Sequence, residues 1–276
     1  MHRFATLTAC ATFCLLIAGG MVTSTNSGLA VPDWPLSYGT WFPPMVGGIF
    51  YEHGHRMVAA VVGLLIFALA VWLSRREPRG WVRGLGVAAA GAVVAQGLLG
   101  GLTVLLLLPP QVSIAHACLG QIVFCLVVSL AWCTAPRPPA GSQPEIDVRA
   151  HAVAVAATAS VQLVLGAVIR HTGMAVIPHM IGAVVLSGLA VAFAWRVRHD
   201  RILRLHAWRL LGLLTIQVAV GLMVFTHRTQ PLLRTGHVAL GALVLAQAVI
   251  AAWESSARIT RTLHGADRLE PSGAIS

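Results

Sequence analysis

The 276-residue chain is too apolar to be an ordinary soluble domain. Hydrophobic residues make up 57% of it and charged residues 10%, with a mean hydropathy of +0.79, whereas soluble domains carry about 25% charged residues. The net charge of +10 comes from arginine alone, since the chain contains no lysine. Basic inner loops of a membrane protein account for such a charge. We therefore exclude nucleic-acid binding and expect an integral membrane protein surrounded by lipid.

Eight apolar stretches are long enough to span a bilayer, which takes about 20 residues per helix. They lie at about 4–23, 54–74, 84–106, 112–134, 150–170, 176–196, 206–226 and 235–254. We interpret the first as a retained helix and not as a secretory signal, because no soluble domain follows it. Pro109 and Pro110 divide the third span from the fourth, since proline removes a backbone donor and clashes with the preceding turn. The predicted fold is an all-α integral membrane protein of eight helices.

The arginines lie mainly on one set of loops. Only Arg56, Arg170, Arg228 and Arg234 fall on the other set. The positive-inside rule then places both termini in the cytoplasm and predicts a multi-pass protein of the inner (cytoplasmic) membrane. The first loop, 24–51, becomes the longest external segment. Its prolines stiffen it, and it could cover the membrane surface as a lid.

A Gln-x-x-x-Gly pattern recurs on the third, fifth and seventh spans. Each copy is followed by a histidine near the start of the next helix, which gives the sets Gln96, Gly100 and His116; Gln162, Gly166 and His179; and Gln217, Gly221 and His237. His55 has the corresponding place in the first hairpin. We interpret the glutamines and glycines as packing residues, because small residues allow close helix approach and amides bond across helices. The chain is thus predicted to form four hairpins.

The four histidines are predicted to share one depth, because each begins a helix that starts on the external side. Histidines at one level on facing helices of a four-helix bundle commonly hold a planar iron macrocycle. His55, His116, His179 and His237 would make two such sites. Simple packing is the alternative for a single histidine, and zinc is disfavoured because no cysteine or second carboxylate accompanies them. The external arginines would pair with haem propionates, or else extend to the interface.

Glu52 stands three residues before His55 and so shares its helix face. A charged group at the mouth of an apolar helix usually lines a cavity or binds something. A carboxylate beside a metal ligand could act as an acid or a base. The alternative is an interfacial cap of the helix.

Five short segments of the chain form a recognisable set: residues 23–35 (TSTNSGLAVPDWP), 52–56 (EHGHR), 115–117 (AHA), 170–172 (RHT) and 235–239 (TGHVA). Together they resemble the haem A synthase family, the Cox15/CtaA proteins, and the likeness covers roughly residues 18 to 250. The resemblance implies eight helices in two pseudo-symmetric four-helix halves. It also implies oxidation of the C8 methyl group of haem O to the formyl group of haem A, with water as the oxygen source.

The same resemblance implies roles for individual residues. His55 and His116 would be the axial pair for the substrate or product haem, His179 and His237 would hold haem b, and Glu52 would be the essential carboxylate. The loop 24–51 contains no cysteine, so the chain resembles the cysteine-free type of the family.

We expect a substrate-haem half at 1–136, a cytoplasmic linker at 137–149, a haem b half at 150–256 and a cytoplasmic tail at 257–276. The implied partners are haem O, haem O synthase as a candidate donor, and the assembly of a terminal oxidase. No nucleotide or flavin motif is present, so the electron acceptor would be external.

Two other functions are alternatives to the synthase. A bis-histidine cytochrome that only carries electrons needs the four histidines but not Glu52. A haem chaperone would have a tryptophan-rich external segment, whereas the first loop has only Trp34 and Trp41. We therefore favour the synthase.

Overall fold

The computed structural model describes residues 1–136 and 148–266, and side chains up to residue 257. These residues form eight helices, all long and apolar enough to cross a membrane. Their bounds are α1 His2–Ser24, α2 Gly47–Arg76, α3 Gly80–Leu105, α4 Pro110–Thr134, α5 Arg149–Thr172, α6 Val176–Arg196, α7 Arg201–Thr226 and α8 Pro231–Ala266. The prediction of an eight-helix integral membrane protein is confirmed.

Two helices are much longer than the apolar runs that predicted them. α2 begins at Gly47, and α8 continues to Ala266, past the predicted start of a tail at 257. A hydropathy window finds only the part of a helix that matches the hydrocarbon layer. The helix itself continues outside that layer, because its backbone hydrogen bonds are satisfied internally in either environment.

The chain reverses at sites that its local sequence explains. Pro110 opens α4 at a position where a helix needs no N–H donor, after Leu107 and Leu108, which both have φ of 61°. Gly173 ends α5 in the left-handed region, with φ of 75°. Only residues 173–175 separate α5 from α6.

The helices pack as two rings of four. In the first ring α1 contacts α2 and α4, and α3 contacts α2 and α4; in the second, α5 contacts α6 and α8, and α7 contacts α6 and α8. The rings meet through α1–α8, α4–α5 and α4–α8. In this interface the α1–α8 contact of one ring corresponds to the α5–α4 contact of the other, and α4 and α8 contact each other. This is the contact pattern of two halves related by a pseudo-two-fold axis.

Each ring has its own apolar core, and both cores lie toward the same end. The first contains Val62, Ile66, Leu69, Leu73, Val82, Val123, Val127 and Leu130; the second contains Val155, Leu186, Phe193, Leu203, Leu210, Leu214 and Val244. We call this the arginine-rich end, since it includes the α2–α3 and α6–α7 junctions, and the opposite one the histidine end. A third cluster, around Phe124, Ala242 and Ala246, joins the two rings.

Aromatic stacking joins the rings at the arginine-rich end. The indole of Trp253 on α8 stacks on Trp81 and Trp132, with ring centroids 5.6 and 5.7 Å away. Its Nε1 donates to Ser129 Oγ at 3.0 Å. Beside this stack, the guanidinium of Arg79 donates to Glu77 Oε1 at 2.6 Å, which lowers the pKa of the Glu77 carboxyl.

The predicted division into halves, linker and tail stays a prediction. Most of the linker, residues 137–147, lies outside the described residues. The same holds for 267–276 of the tail.

Candidate functional site

The four histidines occupy equivalent places in the four hairpins. His55, His116, His179 and His237 are the ninth, seventh, fourth and seventh residues of α2, α4, α6 and α8. Each imidazole ring lies against a glycine on the preceding helix. A Cβ added to that glycine would approach the histidine Cε1 to 3.0 Å at Gly19, 3.1 Å at Gly100, 3.5 Å at Gly166 and 2.9 Å at Gly221. At three of these positions a side chain would crowd the ring.

The structure brings the histidines together in pairs, one in each ring of helices. The imidazole rings of His179 and His237 have centroids 6.3 Å apart and an interplanar angle of 70°. His55 and His116 occupy the corresponding positions on α2 and α4 of the first ring of helices. Each half therefore presents two imidazoles from facing helices at the histidine end.

All four histidines share an unsatisfied ring nitrogen. Their Nδ1 atoms are buried, and none has a hydrogen-bond partner among the described residues. Buried polar atoms without partners are rare, and each calls for an explanation such as a bound ion. Paired imidazoles with spare nitrogen lone pairs are suited to the two axial positions of haem iron. On this observation the residues fit the group that the sequence predicts.

The three repeated glutamines contact the histidines directly. Gln96 Nε2 donates to the His116 carbonyl oxygen at 3.0 Å, and Gln162 Nε2 donates to the His179 carbonyl oxygen at 2.9 Å. Gln217 Nε2 lies 3.3 Å from His237 Nε2. Gln96 and Gln162 thus bond across helices, as the packing interpretation predicts, and all three amides contact a candidate ligand.

Glu52 is buried, with 3% of its surface exposed, and both of its carboxylate oxygens have partners. Oε1 accepts from Arg56 Nη2 at 2.6 Å, and Oε2 accepts from the Val31 backbone N–H at 2.9 Å. The second contact ties α2 to the loop that precedes it. Glu52 thus lies one helical turn from His55 and also anchors the first loop.

Arg56 is directed at the same loop. Its Nη1 donates to the carbonyl oxygens of Asp33 and Leu36, both at 2.8 Å. His53 adds a third anchor, because its Nδ1 lies 2.8 Å from Ser37 Oγ. These contacts give Arg56 partners within the protein, where the sequence predicted a haem propionate.

The loop reaches across the N-terminal half to α3. The indole of Trp34 lies so close to Gly101 that a Cβ there would be 2.6 Å from Trp34 Cδ2. Gly101 directly follows Gly100, which accommodates the His116 ring. The first loop therefore covers the side of α3 next to one candidate ligand. The three-residue connection at 173–175 offers no such cover in the C-terminal half.

Arg170 lies in the last turn of α5 and is directed at α1. Arg170 is half-buried, and its Nη2 donates to the Gly20 carbonyl oxygen at 2.8 Å and to Ser24 Oγ at 2.9 Å. Arg170 therefore links α5 to α1 across the interface between the halves.

Arg228 is in a different situation. It is exposed on the connection after α7, where its guanidinium lies 4.9 Å from the centre of the Phe225 ring and Nε donates to the Phe225 carbonyl oxygen at 3.3 Å. The structure thus places Arg170 between the two halves and leaves Arg228 at the surface.

Several neighbours of the site lie in the segments that carry the family likeness but were given no role from the sequence. Ser24 and Thr235 form a hydrogen bond of 2.9 Å beside Arg170, and Val31 contributes only its backbone. A longer repeat could have found Ser24. Residues 19–25 (GGMVTST) align with 166–172 (GAVIRHT), which pairs Ser24 with His171 and Thr23 with Arg170. The contact of Val31 has no sequence signal, because any residue except proline supplies the same N–H.

Comparison with known proteins assigns the family. The COX15-CtaA family, described as cytochrome oxidase assembly protein, matches residues 47–247, which include all four histidines and Glu52. The chain belongs to the COX15-CtaA family. The resemblance seen in the sequence is therefore confirmed at this level.

Several proteins similar to this chain have the name heme A synthase. The protein of Symbiobacterium thermophilum is 30% identical over 258 residues, which cover 79% of this chain and 84% of the relative. That of Shouchella clausii is 28% identical over 180 residues, covering 62% and 60%. That of Halalkalibacterium halodurans is 31% identical over 186 residues, covering 62% and 61%.

Proposed function

We propose that this chain is a haem A synthase, which oxidises the C8 methyl group of haem O to the formyl group of haem A. The observation that carries the proposal is the set of two histidine pairs at one end of the molecule, each with buried and unpartnered ring nitrogens. Membership of COX15-CtaA supports it, as do relatives named heme A synthase. The product would supply the assembly of a terminal oxidase.

The two pairs would hold different haems. We assign haem O, and haem A as its product, to His55 and His116, because Glu52 and the covering first loop occur only in that half. We assign haem b to His179 and His237. When bound, haem b would supply a relay for electrons on their way to an external acceptor. Arg170 and Arg234 are the candidate partners for propionates.

Glu52 would accept a proton released as water adds its oxygen to the substrate. Its burial and its place one turn from His55 support this role. Its hydrogen bonds to Val31 and Arg56 also hold the loop, so the carboxylate would serve as both anchor and base. Arg56, bonded to Glu52 and to two loop carbonyls, would fix the carboxylate and the loop relative to each other.

We also infer that the chain is of the cysteine-free type, in the sense that its first loop has none. The five cysteines, Cys10, Cys14, Cys118, Cys125 and Cys133, lie on α1 and α4. The arginine distribution favours the inner membrane with cytoplasmic termini. Haem O synthase is the candidate donor of the substrate, since haem O is poorly soluble in water and both proteins would share the bilayer.

The pigments of the purified protein test this function. Haems extracted from cells that supply haem O should separate by chromatography into haem b together with haem O or haem A. Haem b as the sole pigment would instead favour the electron carrier, which needs no substrate haem.

Ligand variants give the second part of the test. His179→Ala and His237→Ala should each remove the low-spin b-type absorbance and leave the haem O or haem A fraction, because each removes one of two axial bonds. His151→Ala is the matched control, since His151 bonds to the Leu189 carbonyl oxygen near the opposite end of α5. Unchanged b-type absorbance in both ligand variants would refute the assignment.

A further inference from the structure

Three of the four candidate ligands are held by a glutamine from the preceding helix. Each glutamine also lies against a glycine three or four residues after its histidine. A Cβ added there would lie 3.1 Å from Gln96 Nε2 at Gly120, 2.7 Å from Gln162 Nε2 at Gly182 and 3.3 Å from Gln217 Nε2 at Gly241. We call each glutamine with its histidine and glycine an amide clamp.

The first hairpin has the histidine, His55, and the glycine that its ring lies against, Gly19, but it lacks the clamp. Four residues before Gly19, where the other hairpins have glutamine, the chain has Leu15. Four residues after His55 it has Ala59. Neither side chain carries a hydrogen-bonding group, so this amide contact cannot form between α1 and α2. Glutamine and glycine are therefore lost together, which is expected if the glycine exists to admit the amide.

We propose that Gln96, Gln162 and Gln217 are positioning residues that fix three of the four histidines, and that His55 is the ligand that releases. This inference rests on the haem assignments in the proposed function. The C-terminal site has two clamped ligands and retains its haem. The N-terminal site has one clamped ligand, His116, and one unclamped ligand, so its haem can leave.

Two of the clamps act on the backbone at the ligand, since Gln96 and Gln162 donate to a histidine carbonyl oxygen, whereas Gln217 lies against the ring nitrogen Nε2 of His237. An amide donated to the histidine carbonyl oxygen ties that turn of the helix to its neighbour, and partners outside the ligand shell set how firmly a ligand is held. A hydrogen bond between helices also opposes their separation in lipid. On α2, Glu52 and His53 are bonded instead to the first loop, and Arg56 to Glu52 and the loop. The hydrogen bonds near His55 therefore run to the loop, while α1 contacts this part of α2 by packing.

A resident cofactor and a substrate need to be held with different strength. The haem b site should keep its occupant through many turnovers, whereas haem A must leave the protein to be used elsewhere. Two sites built from the same repeat would release their haems at similar rates. The absence of one clamp supplies the asymmetry.

Haem release from the purified holoprotein tests the proposal. Excess apomyoglobin captures released haem, and absorbance follows the transfer while extraction identifies each haem. Wild type should release the N-terminal haem quickly and haem b slowly. Gln162→Leu and Gln217→Leu should accelerate haem b release by about 10–100-fold, the range for lost outer-shell partners. The double variant Leu15→Gln/Ala59→Gly, which restores the clamp residues, should slow release of the N-terminal haem by a similar factor.

Gln247→Leu is the matched control. Gln247 Nε2 lies 3.0 Å from His206 Nδ1 on the neighbouring helix, so it is also a glutamine–histidine contact between helices, but toward the arginine-rich end. Its loss should leave both release rates unchanged. If a leucine variant fails to fold, Gln→Met at the same position keeps the volume without the donor, and its release rate decides.

Some outcomes would overturn the proposal. Equal release of both haems from wild type would do so, as would unchanged haem b release from both Gln162→Leu and Gln217→Leu. If Gln247→Leu accelerated haem b release as much as Gln162→Leu and Gln217→Leu do, the clamps would contribute only general helix packing. Failure of the proposed function looks different, because the extracted wild-type haems would then contain no haem O or haem A, whatever the release rates.

Discussion

Glu52 combines two demands on one carboxylate. It is buried beside a candidate haem ligand, and both oxygens are engaged, one by a guanidinium and one by a loop N–H. A purely structural anchor needs an acceptor, which an amide can also provide. A base needs the ability to take a proton, which an amide lacks. The two roles can therefore be separated by one substitution.

We expect Glu52→Gln to bind haem but to form haem A about 10²–10⁴-fold more slowly, the usual contribution of a general base. The amide oxygen can still accept from Val31, so the loop keeps much of its anchorage. Haem extraction and chromatography measure the conversion. His53→Ala is the control, because it removes another anchor of the same loop without touching the carboxylate, and it should lower conversion far less. Wild-type amounts of haem A from Glu52→Gln would leave Glu52 as an anchor only.

The first loop is the element that most distinguishes the two halves. Three side chains of α2 and one glycine of α3 hold it over the N-terminal pair, whereas residues 173–175 form a minimal turn over the other pair. Within the loop, the Asp33 carboxylate accepts from the N–H groups of Tyr38 and Gly39 at 2.7 and 2.8 Å. These bonds favour the charged form and lower the Asp33 pKa from its ordinary 3.8, with the Gly39 N–H as the largest cause.

The loop turn should therefore depend on pH in a defined direction. Because the folded pKa of Asp33 is lowered, its stabilising contribution is complete above roughly pH 4 and is lost as the pH falls through the folded value. The Asp33→Asn variant should lack, at every pH, the stabilisation that the carboxylate charge adds to its hydrogen bonds with the Tyr38 and Gly39 N–H groups. Hydrogen exchange of the Tyr38 and Gly39 amides, corrected for intrinsic rates, measures this.

The amide of Val31 is the internal control, since it bonds to Glu52 and should stay protected in Asp33→Asn at neutral pH. Equal protection of Tyr38 and Gly39 in both proteins at neutral pH would show that the carboxylate does not organise the turn.

The whole molecule is two similar rings whose polar ends differ. Packed apolar cores fill the arginine-rich end of both rings, and histidines, glutamines and glycines occupy the other. Trp253 joins the rings at one end, and Arg170 joins α5 to α1 at the other. The two histidine pairs, which would hold the haems, lie at the same end of the two rings of helices.

The arginine distribution predicts how this molecule lies in the membrane. A reporter fused after Arg76 or Arg204 should be cytoplasmic, and one inserted in 24–51 should be external, because short arginine-rich loops are retained inside. Alkaline phosphatase and a fluorescent protein report the two sides. The opposite pattern would place the histidine end, and with it the haem edges, on the cytoplasmic side.

The sequence alone determined the helix count, the hairpin repeat and the candidate ligands. Apolar runs of sufficient length can only be helices in lipid, and Gln-x-x-x-Gly with a following histidine is a pattern of identities at fixed spacing. Such features are local, so they are readable without coordinates. The family followed from the same residues, since EHGHR and VPDWP are short contiguous motifs.

Only the tertiary structure decided what those residues contact. Arg56 and Glu52 proved to share the first loop, Arg170 reached the other half, and each glutamine lay on a histidine 17 or 20 residues away. The missing clamp at Leu15 and Ala59 became visible only when the other three were seen in contact. The physical reason is that a hydrogen bond between helices depends on their separation and rotation, which the packing of the whole bundle sets and no single segment encodes.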